Sequence, residues 1–302
     1  MSIDERLDAT ASGSPLAPPS VTPGRRARDR SRRGSAIGRT IIVAVVGLAA
    51  VSPLYWMLAV AFSSRAELLG GRELRLWPRE VTFENFERVF ASFPVATWLG
   101  NSVAIAVVVT LISVSTSLLA GYAFAQLRFR GSTALFFLAL ATLVLPVQVI
   151  MVSLFRIVTA TGLYGTYWAV ILPVSASAFG LFLARQFMLG IPRELIEAAR
   201  LDGAGHVQTF LRVVLPLSKP LIAVLVFMSL LSSWNDFAWP LIALRENRLF
   251  TLPIGLLYLQ GQFGSDYGAT MAYALLNVVP IAIVFLVFQR YFVAGLARSG
   301  IK

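Results

Sequence analysis

The sequence predicts an all-α polytopic membrane protein with six transmembrane helices, and three observations support that fold class. Hydrophobic residues make up 57% of the 302-residue chain, and the mean hydropathy is +0.74. Charged residues make up 14%, whereas a soluble domain carries about a quarter. Six apolar runs are long enough to cross roughly 30 Å of hydrocarbon, which takes about 20 residues. These runs are 37–62, 98–125, 133–158, 167–187, 221–244 and 270–293.

The segment before the first run has a different composition. Residues 1–36 are rich in Ser, Pro, Gly and Arg and lack apolar periodicity, so we expect a disordered tail. A transmembrane domain follows at 37–302, with its core at about 97–293. The block "GRRARDRSRRG" (24–34) could contact anionic lipid, but positive charge before a first span more often sets orientation. We favour orientation, and we assign the net charge of +11 to the same cause and expect no nucleic-acid partner.

Positive charge alternates between the segments that connect the spans. The loop at 65–97 has balanced charges and the link at 160–165 has none, whereas the segment after the fourth span carries Arg193, Arg200 and Arg212. Basic residues concentrate on the cytoplasmic side of membrane proteins. The pattern therefore predicts that both termini and the segment at 192–220 are cytoplasmic, which agrees with an even number of spans.

The loop between the first two spans contains "WPREVTFENFERVF" (77–90), which predicts an amphipathic helix. Thr82 is a suitable N-cap, and Phe83, Phe86 and Phe90 share one face. Such a helix either lies on the membrane surface or binds an external partner, and the sequence favours neither interpretation.

The polar segment "ELIEAARLDGAGHVQTFLRVVLPLSKP" (194–220) predicts two short helices around a glycine turn. Pro192 suits the first helical position, and Glu194 lies near the positive end of the helix dipole. Gly203 is a natural left-handed stop, and a second helix follows at about 205–214 and ends at Pro216. Connections between helices usually have about 2–8 residues, so two capped helices indicate a surface that binds a partner.

Three consecutive residues in the first of these helices suit close contact with another protein. Ala198 and Ala199 have small side chains, so a partner surface can approach the helix closely, and Glu197 adds a charge beside them. The spacing continues with Gly203 and then with Val213, Leu215 and Pro216. This pattern resembles the EAA loop of ABC importer permeases, which reads Glu-Ala-Ala, three residues, Gly, nine residues and an aliphatic-x-Leu-Pro. It also falls between the fourth and fifth of six spans, as it does in that family.

Further stretches resemble the carbohydrate-uptake permeases of the MalG type. They include "SWNDF" (233–237), "QRYFVAGL" (289–296), "NSVAIA" (101–106) and "LPVQVIMVSLF" (145–155). The resemblance covers about residues 40–302, and the last six residues depart from the usual ending of the family.

The resemblance implies a type I ABC importer transmembrane domain in the bacterial cell membrane, with coupling helices at about 192–215. It implies that this permease forms the pathway for a sugar or oligosaccharide with a second, MalF-like permease. An extracytoplasmic binding protein would deliver the solute, and two ATP-binding cassette subunits would power transport. The residues that would couple to the ATPases are Glu197, Ala198, Ala199, Asp202, Gly203, Leu215 and Pro216.

The sequence contains no constellation for catalysis. It has no G-x-x-x-x-G-K-[ST] phosphate loop, no cysteine and a single histidine, His206, which we interpret as an exposed helix residue. We therefore expect a transport subunit that is not an enzyme and has no cofactor or metal of its own. ATP and Mg²⁺ would be bound by the partner ATPase subunits.

Four polar residues within the spans are candidates for lining a pathway. Asn235 and Asp236 lie about 15 residues past Pro220, or roughly 23 Å along a helix. They would either line the pathway near its outer end or cap a helix at the outer interface.

The other two candidates lie beside prolines. Gln148 follows Pro146, and Asn277 precedes Pro280. Each either lines the pathway or satisfies backbone groups that the proline leaves without a partner, and we favour the second interpretation.

Two alternative functions remain at this stage. One is a permease for glycerol phosphate or another small solute. The other, of a different class, is a secondary carrier or a membrane scaffold. A carrier needs buried ionisable residues to couple transport to an ion gradient. Asp236 is the one clear acid within the predicted spans, so a carrier is disfavoured.

Overall fold

The computed structural model describes residues 24–69, 77–127, 129–263 and 266–299, and in these ranges all regular structure is helical. The predicted all-α fold class is confirmed. The α-helices, in chain order, are α1 (Gly24–Ala61), α2 (Arg65–Leu69), α3 (Glu84–Ser92), α4 (Val95–Gln126), α5 (Ser132–Ala141), α6 (Val147–Ala160), α7 (Tyr167–Val174), α8 (Ala178–Leu189), α9 (Arg193–Leu201), α10 (His206–Thr209), α11 (Leu215–Leu217), α12 (Lys219–Asn235), α13 (Ala238–Ala243), α14 (Leu252–Phe263) and α15 (Tyr267–Ser299). Short 3₁₀ turns lie at Thr142–Val144 and Asn247–Leu249, and a π-helix lies at Phe210–Val214.

Three helices are long and apolar enough to cross a membrane without a break, and they lie within α1, α4 and α15. Three further pairs of consecutive helices, each bent at a short break, are also long and apolar enough when each pair is counted as one span. The pairs are 132–144 with 147–160 (106°), 167–174 with 178–189 (40°), and 206–217 with 219–235 (79°). Counted in this way, the described residues contain up to six spans, as the sequence predicts.

The predicted third and fourth spans are broken where proline or serine interrupts the helical hydrogen bonds. Between α5 and α6, Leu145 and Pro146 adopt extended backbone conformations, because proline lacks an N–H and restricts the residue before it. Between α7 and α8, the Ser177 hydroxyl accepts a hydrogen bond from the Gly180 N–H at 3.0 Å and so begins α8.

The first helix differs from the prediction at its start. α1 begins at Gly24, so residues 24–36, which were assigned to the disordered tail, are helical. No proline occurs between Pro23 and Pro53, and the arginines and alanines of this stretch are good helix formers that continue into the apolar run. Residues 1–23 of the predicted tail lie outside the described residues.

The chain divides into two compact units, Met1–Tyr55 and Trp56–Lys302. In the first unit, apolar residues of α1 such as Ile41, Ile42 and Leu48 are exposed, which suits a lipid environment. In the second unit α4 is the central helix, and it packs against α7, α8, α12 and α14.

Small residues allow α4 and α8 to approach closely. A Cβ added to Gly121 would lie 2.5 Å from Ala184 Cβ, and one added to Gly180 would lie 2.3 Å from Ser117 Oγ. Side chains of this size at a membrane helix contact let the backbones come together, so this pair forms a tightly packed seam through the domain.

Two hydrophobic clusters are built around that seam. One contains Trp98, Trp239 and Tyr273, each at most 2% exposed. In this cluster the Trp98 indole donates to Asn247 O at 2.8 Å, and the Tyr273 hydroxyl donates to Leu252 O at 2.7 Å. The second cluster contains Tyr122, Met188 and residues of the segment at 192–217, and so it joins that segment to α4 and α8.

The helix in the predicted amphipathic loop is present as α3, but the Thr82 cap is wrong. α3 begins one residue later than predicted, so Phe83 is its N-cap and makes no side-chain hydrogen bond, while the Thr82 N–H donates to Phe62 O at 2.9 Å. Phe83 and Phe86 both pack against Phe62, while Phe83 and Phe90 are 62% and 49% exposed. An outward-facing aromatic surface therefore remains, as either interpretation of this helix requires.

Candidate functional site

The EAA segment, defined here as residues 192–217, begins with a helix that ends in a Schellman turn. Gly203 has φ +83°, and its N–H donates to Arg200 O at 3.0 Å. The Ala204 N–H donates to Ala199 O at 2.9 Å. This pair of hydrogen bonds around a left-handed residue defines the motif. The predicted glycine stop is confirmed, and Pro192 is the N-cap of α9 rather than its first helical residue.

The second helix of the segment differs from the simple α-helix predicted at 205–214. The described structure has a short α10, the π-helix at 210–214 and then α11. The Leu215 N–H donates to Phe210 O, five residues back, which is the wide π-type turn. Leu215 and Pro216 do not end the helix, because Pro216 lies in the first turn of α11, where its missing N–H is tolerated.

One side of the EAA segment is fixed to the membrane domain. Ile196, Phe210 and Val214 are buried at 8% exposure or less, in the cluster that contains Tyr122 and Met188. The Tyr122 and Phe210 ring centroids lie 5.1 Å apart, and the Tyr122 hydroxyl donates to His206 O at 3.2 Å. The segment is therefore an extension of the packed core.

The other side of the segment is open. Glu197, Ala198, Asp202 and Gly203 are exposed, and Ala199 is half-buried. Two large apolar side chains beside them, Leu201 and Val207, are 89% and 71% exposed. A cluster of exposed apolar and small residues on a rigidly held helix pair is typical of a surface that binds a partner.

A cavity of about 700 Å³ lies between this segment and the end of α4. Its polar lining comes from Arg193, Glu197, Arg200, His206 and Gln126. His206 is exposed at the start of α10, as the sequence predicts. Charged residues of α9 line this cavity. A partner that binds the exposed side of α9 therefore also contacts charged side chains.

Asp236 caps a helix, as one of the two interpretations predicts, and pathway lining stays a prediction. It follows the last residue of α12, and its Oδ1 accepts a hydrogen bond from the Trp239 N–H at 3.3 Å, which caps α13. It also lines a crevice of about 290 Å³ between α4, the α7–α8 junction and α12. Capping and lining are compatible because the carboxylate lies at the edge of the crevice.

The other three polar candidates do not line this crevice. The Asn235 side chain is exposed, and its Nδ2 donates to Leu231 O at 2.9 Å. Gln148 is exposed on α6. Asn277 is half-buried on α15, and its carbonyl accepts from the Trp234 indole at 3.0 Å. Pro280 removes the helical donor of the Leu276 carbonyl, so the indole bond to Asn277 joins α12 to α15 beside the proline without replacing that donor.

The crevice also contains residues that the sequence analysis did not select. Serines line it from all three sides. They are Ser113, Ser117, Ser177, Ser229, Ser232 and Ser233. The i,i+4 spacing of Ser113 with Ser117 and of Ser229 with Ser233 was the available signal, since residues four apart share a helix face.

The described residues form a bundle of broken and unbroken membrane helices. A helical segment is held rigidly against this bundle and exposes its other side. Together these features are typical of multi-subunit membrane permeases. The family described as "Binding-protein-dependent transport system inner membrane component" matches residues 113–298, a range that includes the EAA segment and all of the crevice lining except Val109. The chain belongs to this family.

Relatives and solved structures extend the likeness to most of the chain. This chain is 40% identical to the arabinooligosaccharides transport system permease protein AraQ of Halalkalibacterium halodurans, over 87% of its own length and 95% of the relative. It is 34% identical to AraQ of Bacillus subtilis, over 88% and 95%. A chain from a crystal structure of a bacterial ABC transporter that imports the polysaccharide alginate superposes with a TM-score of 0.78 at 24% identity, over 87% of this chain and 98% of that chain. This last match shows the fold.

Proposed function

We propose that this chain is one permease subunit of an ATP-driven sugar importer, and that its EAA segment is the docking site for an ATPase subunit. The observation that carries the proposal is the two-sided construction of the segment. Ile196, Phe210 and Val214 are buried against the membrane domain, while Glu197 and Ala198 are exposed. A push on the exposed side is therefore transmitted to α4 and α8 through close-packed side chains, which resist compression.

Each residue of the EAA pattern has a physical part in this proposal. Ala198 and Ala199 allow close approach of the ATPase, and Glu197 and Asp202 offer carboxylates to it. Gly203 fixes the left-handed turn that orients α9 against α10. Leu215 and Pro216 form the short α11 that leads into α12, so movement of the segment also reaches the crevice that α12 lines.

The remaining partners follow from the chemistry that the sequence lacks. No phosphate loop occurs in the 302 residues, so ATP and Mg²⁺ are held by two partner ATPase subunits. A second permease completes the pathway, and an extracytoplasmic binding protein delivers the solute. In this proposal both termini and the EAA segment lie on the cytoplasmic side of a bacterial cell membrane, and the distribution of basic residues supports that orientation.

The solute in this proposal is a sugar or oligosaccharide. The two relatives described above are named for arabinooligosaccharides, so arabinotriose is the first compound to test. Maltose tests a different sugar, and sn-glycerol 3-phosphate tests the alternative solute class.

The experiment is co-purification followed by reconstitution. The chain is expressed with its neighbouring transport genes, extracted in a mild detergent and analysed by mass spectrometry. The proposal expects an ATPase and a second permease in the complex, and ATP-dependent uptake of arabinotriose when the complex and its binding protein are placed in proteoliposomes. Purification of the chain alone, with transport that needs no ATP, would contradict the proposal.

A further inference from the structure

The crevice between α4, the α7–α8 junction and α12 concentrates serine hydroxyls on facing helices. The hydroxyls of Ser113, Ser117, Ser229, Ser232 and Ser233 all line it, and none makes a hydrogen bond with another described residue. Ser113 and Ser117 are 5% and 3% exposed, whereas Ser229 and Ser233 are half-buried and Ser232 is exposed. Because polar groups away from bulk water gain free energy from a hydrogen-bond partner, these hydroxyls favour a polar occupant of the crevice.

Serines elsewhere in the same domain show the usual solution. The hydroxyls of Ser63, Ser175 and Ser218 donate to backbone carbonyls one helical turn earlier, at 2.8, 2.6 and 2.7 Å. In this way the hydroxyl of a serine in a membrane helix makes a hydrogen bond within its own helix and needs no other side chain. The crevice serines instead keep their hydroxyls available to whatever occupies the crevice.

The charge of the lining narrows the choice of occupant. Asp236 alone is charged among the described residues that line the crevice, and none of them is Lys or Arg. A phosphate or carboxylate ligand would require basic donors and would be repelled by Asp236. Neutral polyols suit this lining, because each sugar hydroxyl both donates and accepts, as serine does.

We propose that this crevice binds a neutral sugar unit of the transported solute directly, with Ser113, Ser229 and Ser232 as hydrogen-bonding partners. Asp236 lies at its edge and accepts from a sugar hydroxyl. The inference rests on the proposed function and adds to it the residues of this subunit that contact solute. A crevice of about 290 Å³ is at the low end for ligand sites, which are roughly 300–1,000 Å³, so it holds one part of an oligosaccharide.

The first test is uptake kinetics of the complete reconstituted importer with radiolabelled arabinotriose. We expect the Ser229→Ala/Ser232→Ala double variant to raise KM by about tenfold and Ser113→Ala by about threefold, because each lost hydrogen bond weakens binding. Ser115→Ala is the matched control, since Ser115 lies on α4 but is exposed and outside the crevice. The Ser115→Ala control should leave KM and basal ATP hydrolysis unchanged, and uptake is compared at equal amounts of complex in the membrane.

The outcomes separate this inference from the proposed function. If the wild-type complex takes up no neutral sugar but takes up sn-glycerol 3-phosphate, the proposed solute class is wrong. If wild-type uptake is normal and KM stays within about twofold of wild type in both crevice variants, the solute does not contact these serines and the inference is overturned.

A second test uses the absence of cysteine from the chain. Ser232→Cys, Ser113→Cys and the control Ser115→Cys are each labelled with a water-soluble maleimide in the assembled complex. We expect arabinotriose, delivered by the binding protein with ATP present, to slow labelling at 232 and 113 and to leave labelling at 115 unchanged. A transport-competent complex in which arabinotriose protects neither crevice position would contradict the proposed contact.

Discussion

At the scale of single residues, the Gly203 turn is the feature that the sequence predicted best. A left-handed stop depends on local conformation, and the structure has φ +83° there with the two hydrogen bonds of a Schellman turn. The Thr82 cap failed because α3 begins one residue later than predicted, with Phe83 as its N-cap. The crevice serines were missed because their role depends on which distant helices face them.

The first prediction concerns the conformation at Gly203. No atom lies within 4 Å of a Cβ built there, so substitution is opposed by backbone conformation and not by a clash within this chain. Gly203→Val should cost about 1–2 kcal/mol in the turn and should uncouple ATP hydrolysis from uptake. Gly203→Asn is the control, because Asn tolerates the left-handed region, and it should retain most coupling. Equal loss in both variants would show that the turn conformation is not the cause.

At the scale of secondary-structure elements, two prolines in apolar runs have opposite outcomes. The chain breaks at Pro146, where the two helices meet at 106°, but α15 continues through Pro280. The indole of Trp234 donates to the Asn277 carbonyl near Pro280, which ties α15 to α12 beside the proline. Proline favours a kink at both positions, but the bend depends on tertiary partners that spacing does not reveal.

The second prediction tests the attachment of the EAA segment to the membrane domain. Phe210 is buried against Tyr122, and Phe210→Ala should leave a cavity that costs about 3–5 kcal/mol and loosens the segment. Uptake should fall while the exposed face that we propose as the ATPase docking site is unaltered. Leu211→Ala is the matched control, since Leu211 is the next residue and is 52% exposed. Phe210→Leu should restore part of the uptake, and similar uptake in the two alanine variants would refute the role of this contact.

The third prediction concerns the attachment of α3 to α15. Arg88 pairs with Asp266, with side chains 21% and 12% exposed, and Asn85 donates to the carbonyls of Ala61 and Ser63 at 2.9 and 2.8 Å. Asp266→Asn leaves Arg88 with Glu84 alone as counter-ion, 3.8 Å from the Arg88 Nε and more exposed, and should cost up to about 3 kcal/mol. A lower midpoint of thermal unfolding of the purified complex would report this loss.

The control for this prediction is an exposed ion pair. Arg248 and Glu246 are 77% and 53% exposed, and pairs of this kind contribute about 0–1 kcal/mol. Glu246→Gln should therefore leave the midpoint nearly unchanged. If both substitutions lower the midpoint equally, burial of the Arg88–Asp266 pair is not what makes it stabilising.

At the scale of the whole molecule, composition was sufficient for the fold class. A chain with 57% hydrophobic residues and six long apolar runs has to satisfy its backbone internally, and helices do this within one segment. Composition could not predict that α4 would be the central helix, because that depends on the close contacts of Gly121 and Gly180 with α8 and α4.

The fourth prediction concerns the orientation of the whole domain. The basic residues at the start of α1 and in the segment after α8 predict that the N-terminus and the EAA segment lie inside the cell. A reporter that is active only in the cytoplasm should work at either terminus and fail when inserted in the uncharged link at 160–165. The opposite pattern would reverse the orientation and remove the EAA segment from contact with ATPases.

The central claim is that the exposed face of α9 binds an ATPase subunit, and site-specific photo-cross-linking tests it most directly. A photoreactive residue replaces Ala198 in the complete complex, and Glu87, exposed on α3, is replaced in the control. The account predicts that the Ala198 position cross-links to the ATP-binding subunit and that the Glu87 position does not. A transporting complex in which the residue at 198 gives no adduct with that subunit would contradict the account.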